Sequence, residues 1–334
     1  MKEPYKISLI KTDDMVDISA DNFNEAGLNL FKHQYNNNAI YRKYCDALRI
    51  NADAVNDVCN IPYLPISFFK THTVTTGIME SPAALVFESS GTTGEAASRH
   101  YITDAGLYER SLLHGFVQYY GPPADYAILA LLPSYLERGN SSLVYMAKTL
   151  MQMSGHADNG FYINEWGQLA TVIRRLEAEG QKILLLGVTF ALLDFADKYP
   201  MALQHTVVME TGGMKGRREE LTRTEVHDIL KDRWQLSGIH SEYGMTELLS
   251  QAYSPADGIF KCTATMKALV RDINDPFDIS MSGAGALNVI DVANVNSCAF
   301  IATDDLARIA RDGTFEVLGR MDHSLLRGCS LMAV

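Results

Sequence analysis

The chain has 334 residues, of which 47% are hydrophobic and 21% are charged, enough for a large core and one or two domains. Its net charge of −11 argues against a nucleic-acid-binding surface, which requires a basic patch. We find no apolar run of the roughly 20 residues that a membrane span needs, and no apolar signal region at the N-terminus. Five scattered cysteines suggest neither a disulfide framework nor a zinc site, so we expect a cytoplasmic protein.

Residues 1–80 combine helical and irregular segments. A polar stretch at residues 21–25 suits a helix start, and residues 31–48 carry apolar side chains at helical spacing. Pro62 and Pro65 interrupt this pattern. Phe68 and Phe69 follow these prolines. They could line a pocket or pack in the core, and core packing is the commoner arrangement for such residues.

A short apolar strand at residues 83–87 precedes a loop of small and hydroxylated residues. The loop contains Ser89, Ser90, Gly91, Thr92, Thr93 and Gly94. Its backbone N–H groups and hydroxyls can bind phosphate oxygens, although ordinary polar turns have the same composition. Gly94 is followed by Glu95 rather than lysine, which excludes a Walker A loop. A helix is predicted to begin near Asp104, so the loop leads from a strand toward a helix.

Between residues 100 and 245, apolar strands alternate with helices. Strands are predicted at residues 126–132, 182–186, 205–209 and 239–243, and helices at 103–119, 141–153, 165–179, 190–198 and 217–231. This alternation is typical of a parallel sheet covered on both faces, whose ligands bind at the carboxyl ends of the strands.

After residue 250 the pattern changes to short strands, predicted at residues 286–290, 299–302 and 314–318. We therefore expect an α/β fold with mostly parallel sheets flanked by helices and a small antiparallel β subdomain near the C-terminus. The predicted domains are residues 1–250, a helical N-terminal segment with an α/β nucleotide-binding core, and residues 251–334, the β subdomain with a terminal hinge and a cysteine tail.

Further candidate ligand-binding residues follow predicted strands. Gly212 and Gly213 allow a flat ring to approach the backbone, and a plain glycine turn is the alternative. The run Tyr243, Gly244, Met245, Thr246 and Glu247 combines a ring that can stack on a base with a carboxylate suited to Mg²⁺. Asp305 and Arg320 lie at later strand ends, where a solvated acid and a surface arginine are the simpler interpretations.

Residues 87–94, with residues 98–101 after them, resemble the LuxE-type acyl-protein synthetases of the adenylate-forming acyl ligase superfamily, whose phosphate loop reads Ser-Gly-Thr-Thr-Gly. Residues 243–247 match the superfamily motif Tyr-Gly-x-Thr-Glu. Residues 303–306 resemble Thr-Gly-Asp-Leu, with Asp304 in place of glycine, and residues 319–322 resemble the Gly-Arg-x-Asp hinge. Residues 327–331 match the Arg-Gly-Cys-x-Leu terminus of these synthetases, so the resemblance covers about residues 60–334.

The resemblance implies that a fatty or related carboxylic acid is activated by ATP and Mg²⁺ to acyl-AMP and then transferred to a protein cysteine thiol. It assigns phosphate binding to the loop of residues 89–94 and to Thr246. Adenine would contact the Gly212–Gly213 turn and Tyr243 with its neighbours Gly244 and Met245. Asp305 and Arg320 would bind ribose or phosphate, and Glu247 would bind the metal. Cys329 would accept the acyl group and deliver it to an acyl reductase or acyl-carrier protein.

One departure from the family pattern concerns the end of the chain. In related ligases a further domain after the hinge supplies a catalytic lysine, whereas this sequence stops soon after Arg320. We therefore expect the large C-terminal lid domain to be absent and Lys215, or else Arg99, to supply the cation. His240 is a further candidate for facing the acyl carboxylate. Two other functions stay open: a non-catalytic nucleotide-binding subunit of a biosynthetic complex, and an acyl- or aryl-CoA ligase.

Overall fold

The computed structural model describes residues 18–19, 21–78, 82–89, 96–132, 140–212 and 221–321. Within these ranges the helices are α1 (Phe23–Asn37), α2 (Ala39–Ala47), α3 (Phe68–Thr71), α4 (Ala105–Tyr120), α5 (Ser142–Ser154), α6 (Trp166–Glu179), α7 (Thr189–Lys198) and α8 (Arg223–Trp234). Short 3₁₀ helices span Ala52–Ala54, Val58–Asn60 and Pro123–Asp125.

The strands in the same ranges are β1 (Leu64–Pro65), β2 (Leu85–Glu88), β3 (Arg99–Ile102), β4 (Ala127–Leu131), β5 (Gly160–Phe161), β6 (Ile183–Gly187), β7 (Thr206–Thr211), β8 (His240–Tyr243), β9 (Ala252–Ser254), β10 (Ile259–Cys262), β11 (Met266–Arg271), β12 (Ile279–Ser280), β13 (Gly283–Asp291), β14 (Phe300–Ile309) and β15 (Phe315–Arg320).

Thirteen of these strands form one sheet in the order β12-β11-β13-β14-β15-β10-β9-β8-β7-β6-β4-β5, with β1 pairing beside β14. From β5 to β8 all neighbours are parallel. From β8 to β12 all neighbours are antiparallel. The change of direction occurs between β8 and β9, where Glu242 lies opposite Tyr253.

Local sequence explains several helix ends. The Asp104 side chain caps the start of α4, and Thr222 with Glu225 forms a reciprocal capping box at the start of α8. Helices α5 and α6 end at Gly155 and Gly180, both in the left-handed conformation that glycine adopts without steric cost. These residues fix where the chain turns back toward the sheet.

The predicted α/β fold with a parallel sheet is confirmed, and the strands and helices predicted between residues 103 and 209 lie within about two residues of the observed ones. The segment after the phosphate loop was predicted wrongly. It is strand β3, paired antiparallel with β2, so the loop joins two strands instead of a strand and a helix. The continuous helix predicted from Arg217 is also wrong, because the Thr222 cap makes α8 begin at Arg223. The predicted domain boundary at residue 250 stays a prediction.

Two large apolar clusters and a smaller one around Phe87 and Tyr108 fill the interior of the described residues. The first joins β4 and β6 with α4 to α8 and includes Trp234 and Tyr253. The second joins β11, β13 and β14 with α1 and α2 and includes Phe300 and Tyr243. Phe69 is buried in this second cluster, as core packing predicts, and Phe68 packs at its margin against Tyr44. The β8–β9 pair thus contributes side chains to both clusters.

Buried polar contacts tie the N-terminal helices to the turn that follows β13. The Gln34 amide nitrogen donates to the carbonyl oxygens of Asn294 (2.9 Å) and Val295 (3.0 Å), and its oxygen accepts from the backbone N–H of Ala299 (2.9 Å). The Asn38 amide donates to the Ser297 carbonyl oxygen (3.0 Å). Helices α1 and α2 therefore hold this turn in place from its outer side.

Asp291 at the end of β13 is fully buried and organises the chain beyond β8. Its carboxylate accepts hydrogen bonds from the backbone N–H groups of Leu249 (2.7 Å), Ser250 (3.0 Å) and Ala293 (3.1 Å), and from the Ser250 hydroxyl (2.6 Å). Burial raises the pKa of the Asp291 carboxyl, and these four hydrogen bonds offset part of that penalty by sharing the charge.

We expect Asp291→Ala to lower the free energy of unfolding by about 3 kcal/mol, because it leaves several buried donors without an acceptor. Urea denaturation of the purified variant measures this change. Asp275→Asn, at an exposed turn, is the matched control and should change stability by less than about 0.5 kcal/mol. Equal unfolding midpoints for Asp291→Ala and the control would contradict the assignment.

Candidate active site

Three of the residues predicted to bind the nucleotide meet where β8 and β15 end beside the middle of β14. Asp305 was expected at the end of a strand, but β14 continues past it to Ile309. The Tyr243 hydroxyl donates to Asp305 Oδ2 at 2.8 Å, and Asp305 Oδ1 lies 3.5 Å from Arg320 Nε. The Tyr243 ring packs edge-on against Phe260 and Phe315, so its orientation is fixed. Arg320 is 84% exposed and Asp305 only 13%, which leaves the guanidinium free to reach a ligand.

A buried arginine holds the backbone that carries Asp305. The Arg271 guanidinium donates to the carbonyl oxygens of Leu287 (2.9 Å) and Thr303 (2.5 Å) and to Oδ1 of Asn288 (2.6 Å). The Thr303 hydroxyl in turn accepts from the Asp305 backbone N–H at 3.1 Å. This arrangement fixes the part of β14 from which the Asp305 side chain projects.

The peptide groups of Thr246 and Glu247 are held by two buried side chains. His100 Nδ1 lies 2.9 Å from the Thr246 carbonyl oxygen, which can only accept, so the ring carries a proton on Nδ1. The Asn294 amide nitrogen donates to the Glu247 carbonyl oxygen at 2.8 Å, and its Oδ1 lies 3.1 Å from His100 Nε2. Since His100 belongs to β3, the strand after the phosphate loop is anchored directly to the Tyr-Gly-x-Thr-Glu motif.

Burial sets the protonation of His100. The ring is fully buried, and desolvation lowers its pKa to about 4 even though the contacts with Thr246 and Asn294 favour the charged form. At neutral pH the ring is therefore neutral.

Glu247, the predicted metal ligand, is 4% exposed. Burial raises the pKa of its carboxyl, while a hydrogen bond from Ser98 and the charge of Arg320 favour the ionised form. A carboxylate held beside Ser98 in this way suits Mg²⁺, which usually takes one or two protein carboxylates and completes its shell with phosphate oxygens and water. The described residues contain no group of three or more His, Cys, Asp or Glu side chains arranged to hold a metal.

On the other face of β8, the Glu242 carboxyl accepts a hydrogen bond from the Thr211 hydroxyl at 2.8 Å. Burial raises the pKa of Glu242 to about 7, and the neighbouring Glu210 adds to this effect. A Cβ atom at Gly244 would lie 2.2 Å from Glu242 Oε1, so a side chain there would displace the Glu242 carboxyl. At the end of β7, Gly212 adopts φ +62°, and no atom of the described residues, apart from its own chain neighbours, lies within 4 Å of where its Cβ would be, which suits the close approach of a flat ligand.

Arg99 and His240 lie apart from these contacts. The Arg99 guanidinium forms a 2.9 Å ion pair with Glu88 across the β2–β3 hairpin, and both side chains are exposed. His240 Nδ1 lies 3.2 Å from the Tyr120 hydroxyl, and burial lowers its pKa. Both roles stay predictions.

Several predicted site residues lie outside the described residues. They are Ser90, Gly91, Thr92, Thr93, Gly94, Gly213, Lys215 and Cys329. Ser89 is described: its backbone N–H donates to the Ser98 carbonyl oxygen at 3.0 Å, and its hydroxyl accepts from the Ser98 N–H at 2.9 Å. These two bonds close the base of the β2–β3 hairpin.

Asn294 and Arg271 were not anticipated from the sequence. Both act through backbone carbonyl groups, and an isolated Asn or Arg between strands gives no signal of such a role. His100 was noticed only because it follows the phosphate loop. Its burial depends on a contact with Thr246, which lies 146 residues further along the chain.

The family model of the acyl-protein synthetase LuxE matches residues 10–131. The resemblance to the acyl-protein synthetases is confirmed. The match includes the phosphate loop and strands β2 to β4, and it begins well before residue 60, where the recognised similarity was expected to start. Helices α1 and α2, which hold the turn after β13, are thus part of the matched region.

Solved structures confirm the predicted fold of an adenylate-forming ligase N-terminal domain. A 2-hydroxyisobutyryl-CoA ligase in complex with R3-HIB-AMP has a TM-score of 0.62 at 12% identity, covering 91% of this chain and 69% of that chain. ATP-bound MatB from Rhodopseudomonas palustris has a TM-score of 0.54 at 17% identity, covering 73% of this chain and 50% of that chain. O-succinylbenzoate coenzyme A synthetase (MenE) from Bacillus subtilis, in complex with AMP, has a TM-score of 0.51 at 17% identity with the same coverage.

This chain spans about half the length of MatB and MenE. No curated protein matches its sequence. Among the described helices, none is long and apolar enough to cross a membrane.

The pKa of His100 predicts a specific dependence of stability on pH. The unfolded imidazole binds a proton near pH 6.5 and the buried ring only near pH 4, so between these values the unfolded state holds more protons. The stability that depends on the buried ring being neutral is complete above about pH 6.5 and is lost as the pH falls below that value. From pH 7 to pH 5 the loss should be about 2 kcal/mol.

His100→Gln removes this titration and keeps an N–H donor for the Thr246 carbonyl. In urea denaturation at pH 7, 6 and 5, the difference in free energy of unfolding between wild type and His100→Gln should therefore change by about 2 kcal/mol over this range. For His205→Gln, which replaces an exposed histidine, the difference from wild type should stay constant. Parallel stability curves for wild type and His100→Gln would show that the ring is not buried in its neutral form.

Proposed function

We propose that this protein activates a carboxylic acid with Mg·ATP and transfers the acyl group to a cysteine thiol. The observation that carries the proposal is the meeting of Tyr243, Asp305 and Arg320 beside the anchored Thr246–Glu247 peptide, since these residues come from separate strands and together provide groups for base, ribose, phosphate and metal. The matched LuxE model and the fold shared with ATP-bound MatB support it.

In the first step, a carboxylate oxygen of the substrate attacks the α-phosphorus of ATP and pyrophosphate leaves. The chain has little covalent chemistry to perform here and acts by positioning and by offsetting charge. Glu247 would hold Mg²⁺, which when bound neutralises phosphate oxygens. Tyr243 and the Gly212 turn would hold the base, Asp305 would accept hydrogen bonds from the ribose hydroxyls, and Arg320 would contact ribose or phosphate.

The phosphate loop and the replacement cation belong to the same proposal. Thr92, Thr93 and the loop amides would bind the phosphates, and Lys215 would offset the charge between carboxylate and triphosphate. Arg99 is the second choice for that cation, and a less favourable one, because its guanidinium is already paired with Glu88 on the surface.

In the second step, the thiolate of Cys329 would attack the acyl carbonyl carbon and AMP would leave, which produces a thioester on the protein. Arg327 is close in sequence and would favour the thiolate, the reactive form of cysteine. The four described cysteines are poorer candidates. Burial raises the pKa of Cys59 to about 11 and of Cys45 and Cys262 to about 12, and it raises the pKa of Cys298 further. An acyl reductase or acyl-carrier protein would then receive the acyl group.

Glu247→Gln should abolish activation of the acid, because the neutral amide is a poor ligand for Mg²⁺. Carboxylate-dependent exchange of labelled pyrophosphate into ATP measures the first step alone, and the expected loss is about a thousandfold or more. Glu316→Gln, on β15 but paired with Arg308, is the control and should retain exchange. Exchange by Glu247→Gln within about tenfold of wild type would exclude the metal role.

Pyrophosphate exchange by the wild type also separates the three functions. Binding of ATP without exchange for any acid supports the non-catalytic nucleotide-binding subunit. Exchange followed by acyl transfer to added coenzyme A supports the CoA ligase. Exchange followed by labelling of the protein itself supports the acyl-protein synthetase.

Cys329→Ser should still form acyl-AMP but should not retain a hydroxylamine-sensitive acyl label, because the first step does not need the thiol. The measurement is incubation with ATP, Mg²⁺ and radiolabelled acid, followed by hydroxylamine treatment of the denatured protein. Cys59→Ser, which removes a partly buried thiol, is the matched control and should label like the wild type. A labile label that survives in Cys329→Ser would assign the acceptor to another cysteine.

A further inference from the structure

Two buried polar atoms next to β8 have no hydrogen-bond partner among the described residues. They are Gln251 Oε1 and Tyr253 Oη, of residues that are 4% and 1% exposed, while the Gln251 amide nitrogen donates to the Leu249 carbonyl oxygen at 3.4 Å. Buried polar groups are nearly always paired, so an unpaired one needs an explanation such as a ligand. Two further buried atoms of the described residues, Thr263 Oγ1 and Asn288 Nδ2, also lack a partner.

Glu242 lies on the same face as these two side chains. It is directly opposite Tyr253 in the β8–β9 register, and cross-strand partners project to the same side of a sheet. A Cβ atom at Gly244 would lie 2.2 Å from Glu242 Oε1 and 3.6 Å from Gln251 Cγ, so the two side chains flank this glycine. Glu242 is only partly buried and has one hydrogen bond, from Thr211 to Oε2, which leaves Oε1 available.

This polar group is separated from the proposed nucleotide site by the strand itself. Successive side chains of β8 point to opposite faces, so Tyr243 projects toward Asp305 while Glu242 projects toward Tyr253 and α4. Both faces meet at Gly244, where the strand ends. A carboxylic acid whose carboxyl group reacts near Gly244 would therefore extend its remaining atoms along the Glu242 face.

We propose, building on the proposed function, that Glu242, Gln251 and Tyr253 bind the body of the acid substrate and that this acid carries a hydroxyl or amino group. The amide oxygen of Gln251 can only accept hydrogen bonds, and Glu242 Oε1 accepts in the ionised form, which prevails above the pKa of about 7 that burial gives this carboxyl. The group complementary to both oxygens is therefore a donor. An unsubstituted hydrocarbon chain would displace water from these oxygens without replacing its hydrogen bonds. The polarity of this face thus narrows the proposed substrate from fatty acids in general to acids that carry a hydrogen-bond donor.

The test compares matched acids in the pyrophosphate exchange assay. For six- and ten-carbon chains, the plain acid is compared with its 3-hydroxy, terminal hydroxy and terminal amino derivatives, so that the arms distinguish the kind of donor and its place. We expect at least one donor-bearing acid to exceed its plain partner by about tenfold or more in kcat/KM, because a site built to bind a donor rejects the analogue that lacks it.

Three variants link this preference to the named residues. Glu242→Gln and Gln251→Leu should each lower the ratio of donor-bearing to plain acid by about tenfold, and Tyr253→Phe should lower it to a smaller extent. Tyr119→Phe is the matched control, because the Tyr119 ring lies 5.5 Å from that of Tyr253 but its hydroxyl already donates to the Cys262 carbonyl oxygen. Since Glu242→Gln and Tyr253→Phe preserve shape, they keep the test valid if Gln251→Leu does not fold.

The outcomes separate this inference from the proposed function. Exchange with plain acids at equal or higher kcat/KM, unchanged in Glu242→Gln, overturns the inference and leaves adenylation intact. Absence of exchange with every acid refutes the proposed function instead. In that case calorimetric titration of the same acids tests the inference. Tighter binding of a donor-bearing acid that is lost in Glu242→Gln supports binding of the acid by Glu242, Gln251 and Tyr253, and equal binding of both acids overturns it.

Discussion

The antiparallel pairing of β8 with β9 is the constraint on which the site depends. From β5 to β8 the strands of the sheet are parallel, and each loop at a carboxyl end leads into a segment that returns to the other end of the sheet. Because β9 returns directly beside β8, the turn between them must carry residues 244–251 across the end of the sheet. Alternation along β8 then sends Tyr243 into one apolar cluster, while Tyr253 opposite Glu242 belongs to the other. The end of β8 thereby contributes side chains to two chemically different surfaces.

Buried polar contacts make this turn rigid. Asp291 holds the backbone at Leu249 and Ser250, His100 and Asn294 hold it at Thr246 and Glu247, and Gln34 holds Asn294 from behind. Each of these contacts ends on a backbone group, and the Ser250 hydroxyl adds a side-chain bond to Asp291 while the Glu247 carboxyl accepts one from Ser98. Under the proposed function, the Thr246 hydroxyl and the Glu247 carboxylate would contact the ligand from a backbone held in advance, which is the arrangement expected of a preorganised site.

The sequence was sufficient for most of the alternating part of the fold, since strands such as residues 183–187 are continuously apolar and helices α5 and α6 end at the glycines Gly155 and Gly180. It was insufficient for β3 and β9, which are short and contain polar residues whose burial depends on distant partners. His100 is the clearest case: nothing in the neighbouring sequence indicates burial, yet contacts with Thr246 and Asn294 bury it completely. The grouping of Tyr243, Asp305 and Arg320 was predictable because a family motif named all three residues.

Under the proposed function, the charge of the described residues explains why further cations would be needed. Glu210, Glu242 and Glu247 lie at or near strand ends and Asp305 lies within β14, and burial raises the pKa of the last three. In the part of the chain that the structure describes, Arg320 is the cation paired with a carboxylate of this group, while Arg271 directs its hydrogen bonds to carbonyl and amide oxygens instead. A triphosphate added to these acids would increase the repulsion, because like charges in a partly desolvated cleft are only weakly screened. Nucleotide binding would therefore require Mg²⁺ at Glu247 and at least one further cation, and the segment after Gly212, which contains Lys215 and Arg217, is the stretch of sequence nearest to the β7 end that can supply it.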